Sequence, residues 1–328
     1  MKNIPAILEA RAKLFKVTRK FFDERGYLEV DTPILYPYRD MTVHLADFTT
    51  RYADGQTERI LSLPTSPEVY MKRLLADGAE KIYQLCHFFR NGEVTQKHNP
   101  EFMGLEFYEV GADYGRIMDI TTDYLKAVFS AFGISELNYN GMRCELEGEW
   151  ERATLAKTVK KFSGVDIRGK TEIETLRREI ETKGYLAAPD DSYDDLFFRA
   201  YLTDVEPNLG APRPIWIYEY PRQMAAYARL KPNDPDMAER CELYICGVEL
   251  ANGYGELNDA KEQRKRFIEA AKEKGRASDE EFPLDEKFLA AVEKMPDCSG
   301  IALGLERVLM LLLDKYEIGG AIPYPFGE

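Results

Sequence analysis

Ser299-Gly300-Ile301-Ala302-Leu303-Gly304-Leu305-Glu306-Arg307, running on into Val308-Leu309-Met310-Leu311-Leu312-Leu313, is the stretch that decides how the chain is read. A strand punctuated by glycine feeds a strongly apolar helix with one arginine in its first turn. The start of a helix presents unpaired N–H groups and the positive end of its dipole, so the Arg307 guanidinium adds a full charge to a ready-made anion site. The competing reading is a buried helix in which Glu306 and Arg307 form a structural pair. What separates the two lies elsewhere in the chain.

At the opposite end, Ile7, Ala10, Leu14, Val17 and Phe21 recur at alternating spacings of three and four. That periodicity predicts an amphipathic helix from Ile7 to Arg25, with Gly26 suited to end it. A strand from Tyr27 to Val30 follows and stops at Asp31-Thr32-Pro33. Lys81 to Phe89 and Phe102 to Val110 read as two strands of a long antiparallel hairpin around the polar loop Asn91 to Pro100. Strand alternation puts Phe102, Gly104, Glu106 and Tyr108 on one face, which carries the polar groups, and Met103, Leu105 and Phe107 on the other, which reads as core. Between about 149 and 204 the composition turns to charged, helix-forming segments such as Glu172-Ile173-Glu174-Thr175-Leu176-Arg177-Arg178-Glu179-Ile180, read as a helical insertion. Strands return at Ile215 to Tyr220 and at Glu242 to Ile245, where Cys246-Gly247 is the expected hairpin turn before Val248 to Glu256. With that turn, Tyr244 lies opposite Glu249 and Glu242 opposite Ala251, so that Glu242 and Glu249 share a face as a metal-compatible pair. The charged run Asn258 to Lys274 reads as a solvated helix.

The chain has 328 residues, 45% of them apolar, enough for a sizeable core. No run of about 18 apolar residues and no signal-peptide pattern appears, so a cytoplasmic chain without a membrane span is expected. Cys86, Cys144, Cys241, Cys246 and Cys298 are odd in number and form no CxxC pair, which argues against a disulfide framework or a zinc site. A net charge of -13 disfavours nonspecific binding to a phosphate backbone.

Three blocks now stand together: Gly26-Tyr27-Leu28-Glu29-Val30-Asp31-Thr32-Pro33, then Phe89-Arg90-Asn91 through His98-Asn99-Pro100-Glu101-Phe102, then Gly304-Leu305-Glu306-Arg307. They resemble motifs 1, 2 and 3 of the class II aminoacyl-tRNA synthetases. Thr65-Ser66-Pro67-Glu68 and Gly247-Val248-Glu249-Leu250-Ala251-Asn252-Gly253-Tyr254-Gly255-Glu256-Leu257-Asn258 look like substrate-pocket segments of the lysyl branch. Within that branch the chain is most similar to the truncated relatives that ligate (R)-beta-lysine to elongation factor P. Only Met1 to Arg25 precede motif 1 and they read as the catalytic domain's first helix, so no anticodon-binding OB-fold is expected. Met295-Pro296-Asp297-Cys298-Ser299-Gly300, and Ala302 where lysyl synthetases usually carry glycine, point the same way.

The resemblance implies an α+β fold, one class II catalytic domain over 1-328 with an antiparallel sheet flanked by helices, and a homodimer through motif 1. It implies an ATP-dependent ligase that activates (R)-beta-lysine or lysine as an acyl-adenylate and passes it to a lysine of elongation factor P. Both reactants are anions, so charge neutralisation is the main task. The implied catalytic pair is Arg90 at the α-phosphate and Arg307 at the γ-phosphate, with Mg²⁺ on Glu242 and Glu249. The implied nucleotide contacts are Asn91, Gly92, Glu93, His98, Asn99, Phe102 stacking on adenine, Glu249, Leu250 and Gly304. A substrate with two ammonium groups calls for carboxylates, and Glu68, Glu106, Glu256 and Tyr108 would line its pocket with Ser66, Pro67, Asn252 and Ala302. One departure from the family pattern stands out: the motif 2 glutamate is expected at Gly92, whereas the acid here is Glu93. Two other functions stay open, a minimal synthetase that charges tRNA or another acceptor and a catalytically silent regulatory paralogue.

Overall fold

A computed structural model describes residues 2–278 and 282–328, and the chain divides into two units, Met1–Ala112 with Leu257–Glu328, and Asp113–Glu256. The first unit begins with α1 (Ile4–Asp23), whose Asn3 side chain accepts a hydrogen bond from the Ala6 N–H and whose Ile7, Ala10, Leu14 and Phe21 are buried as the periodicity requires. The strand expected after it shortens to β1 (Leu28–Glu29). Next come an exposed ribbon of β2 (Thr49–Ala53) and β3 (Glu58–Ser62), then α2 (Glu68–Ala76). The long hairpin follows as β4 (Lys81–Phe89) and β5 (Glu101–Val110).

The second unit opens with α3 (Tyr114–Ala131), capped by Asp113, and the hairpin β6 (Glu136–Tyr139) and β7 (Met142–Glu145). Strand β8 (Glu151–Thr154) leads into α4 (Leu155–Ser163), α5 (Ile173–Thr182) and α6 (Tyr193–Ala200). These three helices bury Leu155, Val159, Leu176, Ile180, Leu196 and Phe197 in one cluster with Ile217, Tyr220 and Tyr244. The latter residues belong to β9 (Ile215–Pro221) and, after the short β10 (Leu230–Lys231), to β11 (Asp234–Ile245), which hairpins into β12 (Val248–Gly255). Strands β8 and β9 pair in parallel, and β9, β11 and β12 pair antiparallel in that order.

The β11–β12 turn is the two-residue one expected, with Cys246 at φ 50 and Gly247 at φ 69. Both values suit the twist of a tight hairpin. Register departs from simple alternation. Tyr244 faces Glu249 as expected, but Leu243 faces Ala251 and Glu242 faces Asn252 rather than Ala251. Leu250 is therefore one extra residue on β12, a β-bulge, and a bulge reverses the parity of everything beyond it.

The rest of the first unit comprises α7 (Ala260–Ser278), α8 (Glu286–Val292), β13 (Cys298–Gly304) and α9 (Leu305–Leu312). Its sheet runs β1-β4-β5-β13, antiparallel except for the parallel β1–β4 edge. The face bearing Tyr83 and Phe107 packs on α1, with the Phe22 ring centroid 4.9 Å from each. On the other face Ile82 and Tyr108 meet Met71 and Leu75 of α2. The charged run at 258–274 is helical but not simply solvated, because Gln263, Phe267 and Lys274 are buried. No helix among the described residues is long and apolar enough to cross a membrane.

Candidate active site

The polar face of the first unit's sheet is built in rows. Gln84 of β4, Glu106 of β5 and Ala302 of β13 stand side by side, and the next row is Cys86, Gly104 and Gly304. Two registers without a slip explain why residues from three strands share one floor. Gly104 is required there, since a Cβ would lie 2.4 Å from the Phe88 ring. Glu106 is 2% exposed and accepts a 2.6 Å hydrogen bond from the Tyr108 hydroxyl. Its charge helps burial raise the Tyr36 hydroxyl pKa well above the ordinary range. Glu106, Tyr108 and Ala302 are thus brought together as expected.

Ser66 and Pro67 sit at the start of α2, where the Ser66 hydroxyl accepts from the Glu68 N–H at 3.3 Å. Glu68 is not a bare acid: the Lys72 ammonium, one turn on, donates to it at 2.5 Å, with Lys72 buried and Glu68 half-buried. Burial raises the Glu68 pKa and Lys72 opposes the rise. The i,i+4 spacing was visible in sequence, and it is the signal for this pair.

In the motif 2 loop the Arg90 guanidinium lies 5.2 Å from the Phe102 ring centroid, a cation–π contact. Phe102 itself leans on Phe88 at 5.4 Å. Gly92 has φ 82, a conformation that disfavours any L side chain at that position. The Glu93 carboxylate is 3.9 Å from Arg90. Asn91 and Asn99 serve the backbone: Asn91 donates to the Asp47 carbonyl at 3.4 Å, and Asn99 bridges the Glu101 carbonyl and the Phe326 N–H.

Arg307, in the first turn of α9, donates to His98 Nε2 at 2.7 Å and to the Lys97 carbonyl at 3.3 Å. Because arginine only donates, Nε2 must accept, and the imidazole proton sits on Nδ1, 2.7 Å from the Thr95 hydroxyl. Burial, then Arg307, Arg90 and Lys97, push the His98 pKa from its ordinary 6.5 down to about 4. His98 is neutral near pH 7 and its surroundings are strongly positive. The unfolded chain binds the proton that the folded one refuses, so this histidine costs stability as pH falls from 6.5 to about 4. In His98→Asn, unfolding titrations should decline less over that window than in the wild type, and equal slopes would refute the assignment.

Glu306 does not pair with Arg307. Its carboxylate, 2% exposed, accepts from Arg11 of α1 at 2.8 Å and from the Met103 N–H of β5 at 2.7 Å.

In the second unit the bulge at Leu250 settles which residues share a face. Without it Glu249, Ala251 and Gly253 would share a side; with it Arg240, Glu242 and Tyr244 of β11 share a side with Glu249, Asn252 and Tyr254 of β12. The Glu242 carboxylate is 2.7 Å from Arg240 and accepts from the Tyr244 hydroxyl at 2.6 Å. Its pKa is raised, first by burial and further by Glu249, while Arg240 opposes the shift. Arg240 was missed in sequence although it stands two residues before Glu242, hence on the same face; it is held 4.5 Å from the Tyr220 ring centroid. The Asn252 side chain donates to Tyr254 at 3.2 Å and leaves its buried Oδ1 without a partner among the described residues. Glu256, just beyond β12, is 1% exposed. No group of three or more His, Cys, Asp or Glu able to hold a metal occurs among the described residues.

The model of the tRNA synthetases class II (D, K and N) family matches residues 1–328. The chain belongs to that family. As a class II synthetase-like protein it has the α+β architecture read from the sequence, a sheet flanked by helices that is mainly antiparallel, with parallel pairs at β1–β4 and β8–β9. It is similar to an elongation factor P (R)-beta-lysine ligase of Klebsiella pneumoniae (strain 342), 37% identical over 98% of this chain and 95% of that one. The ligase so named from Edwardsiella ictaluri (strain 93-146) is 37% identical over 97% and 94%. That from Haemophilus influenzae (strain PittGG) is 36% identical over 96% and 93%.

Proposed function

We propose that this class II protein is an ATP-dependent ligase that activates (R)-beta-lysine, or lysine, and transfers it to a lysine side chain of elongation factor P. The observation that carries the reading is the cluster of Arg90, Lys97 and Arg307 around a neutral His98, an electropositive mount of the kind a polyphosphate needs. The related ligases, named for (R)-beta-lysine and elongation factor P, suggest the substrate and the acceptor.

An oxygen of the amino acid carboxylate attacks the α-phosphorus of ATP, and the bond to the β-phosphate oxygen breaks to release pyrophosphate. No base is needed, since the nucleophile is already ionised. Arg90 neutralises the α-phosphate, Arg307 the γ-phosphate, and Phe102 offers its face to the adenine. On the first unit Glu106, Tyr108, Ser66 and Ala302 are read as amino acid contacts, with the Lys72-paired Glu68 as a weaker contributor; the family resemblance gives Asn252 and Glu256 the same role. The acceptor amine then attacks the adenylate carbonyl, loses a proton and displaces AMP.

The donor set on the second unit fits Mg²⁺: two carboxylates share a face, and Glu249 raises the Glu242 pKa, a repulsion that a cation relieves. Glu242 and Glu249 would hold the ion, leaving places for phosphate and water. When bound, it would withdraw charge from the phosphates.

We also read the two units as one catalytic domain with 149–204 as its helical insertion, working in the cytoplasm as a homodimer. Leu28, Ile34 and Leu35, at the β1 edge and just after it, are 63%, 53% and 50% exposed, an apolar surface suited to a second copy. The deciding experiment offers purified elongation factor P and total tRNA in parallel with ATP and labelled lysine or beta-lysine. Label is expected on the protein. Stable label on tRNA alone would overturn the ligase reading in favour of a minimal synthetase, and no ATP–pyrophosphate exchange with any lysine isomer would favour a silent paralogue.

A further inference from the structure

A buried lysine in the charged helix has a place in the first unit that the reaction as described does not use. The Lys274 ammonium, near the end of α7, donates to three backbone carbonyls at once, Asp40 and Thr42 at 2.8 Å and Leu45 at 2.7 Å. Three donors on three acceptors saturate an ammonium and hold a six-residue stretch of irregular chain in one shape. The stretch is closed on itself as well. The Asp47 carboxylate, 4% exposed, pairs with Arg39 at 2.8 Å and accepts from the Asp40 N–H at 3.2 Å.

Two site segments are mounted on this loop. The Asp40 carboxylate accepts from the Thr65 hydroxyl at 2.5 Å, immediately before Ser66-Pro67-Glu68. The Ala46 carbonyl accepts from the Asn91 N–H at 2.9 Å and the Asp47 carbonyl from the Asn91 side chain, immediately after Arg90. One loop therefore sets the position of an amino acid segment and a nucleotide segment together, and Lys274 sets the loop.

We propose that Lys274 is a positioning residue for adenylation, holding the loop at 40–47 so that the Thr65 to Glu68 segment and the Arg90-Asn91 segment keep their common geometry. The inference rests on the ligase reading above. A misplacement of about 1 Å can cost roughly 10²-fold in rate, so the loss expected on releasing the loop is roughly 10- to 100-fold in kcat/KM.

The test is Lys274→Met, which fills the same space without donors, assayed by ATP–pyrophosphate exchange with lysine and beta-lysine. Both KM values, for ATP and for the amino acid, should rise, whereas Thr65→Val, cutting one branch only, should raise the amino acid KM alone. Lys274→Arg keeps the charge and donors and should recover activity toward wild type. Leu176→Ala, in the core of the other unit, controls for general destabilisation and should lower the melting temperature without moving either KM. Unchanged KM values in Lys274→Met, or equal rises in Leu176→Ala, would overturn the proposal. Hydrogen exchange at the Asn91 amide gives a reading independent of activity: it should quicken in Lys274→Met, and unchanged protection would overturn the proposal even if the wild type proved inactive and the ligase reading fell.

Discussion

Arg307→Ala should lower the rate of amino-acid-dependent ATP–pyrophosphate exchange by roughly 10²- to 10³-fold, the range expected when one preorganised charge-stabilising donor is removed. The side chain projects from the first turn of α9, so its charge adds to that of the helix N-terminus, and its donors are aimed by the contacts to His98 and the Lys97 carbonyl. Neither contact belongs to the core, so folding should survive. The same variant carries a second readout. Arg307 is the largest electrostatic cause of the low His98 pKa, after burial. Its loss should move the histidine back up toward its ordinary value, measurable by NMR titration. Exchange within about threefold of wild type in a folded variant would remove Arg307 from the transition state, whatever His98 does.

How far the sequence carried the reading depends on how local each signal is. The β11–β12 turn was legible because Cys246-Gly247 takes positive φ at both positions, a local property of two residues. The long hairpin was legible because its strands alternate strictly and pair without a slip. The bulge was not, since Leu250 looks like any strand leucine, and the register shift is decided by how β12 lies on β11. That one residue matters: strict alternation from Glu249 would have placed Asn252 on the side away from Glu242, whereas the register sets the two opposite each other. Lys274 was hidden for a related reason. In a helix dense with charge, nothing in the local pattern says which ammonium turns inward, because its acceptors are carbonyls more than 200 residues earlier in the chain. Glu68 shows the opposite case, a short-range i,i+4 partner that a functional reading passed over.

Glu306→Ala should be the most damaging single change to stability, by about 3–5 kcal/mol, the cost of removing one partner from a buried ion pair. Three elements meet at this carboxylate. It sits in the first turn of α9, it takes the Arg11 guanidinium of α1, and it takes the Met103 N–H in β5, between Phe102 and Gly104. Alanine would strand a mostly buried guanidinium and orphan a backbone donor, and each is penalised separately. Burial holds the Glu306 pKa above the ordinary carboxylate value, with Arg11 opposing, so the isolated charge is disfavoured and the pair is what makes the site tolerable. The distinction between cost of breaking and worth of having is open to measurement. A double variant, Arg11→Met with Glu306→Met, removes both charges and refills the volume, so it should unfold at a higher urea concentration than Glu306→Ala alone. If the double variant proved the less stable of the two, the pair would be contributing net attraction rather than mutual compensation. In either case the Met103 N–H loses its acceptor, so the ATP KM should rise in both variants through Phe102, the neighbouring residue assigned to the adenine.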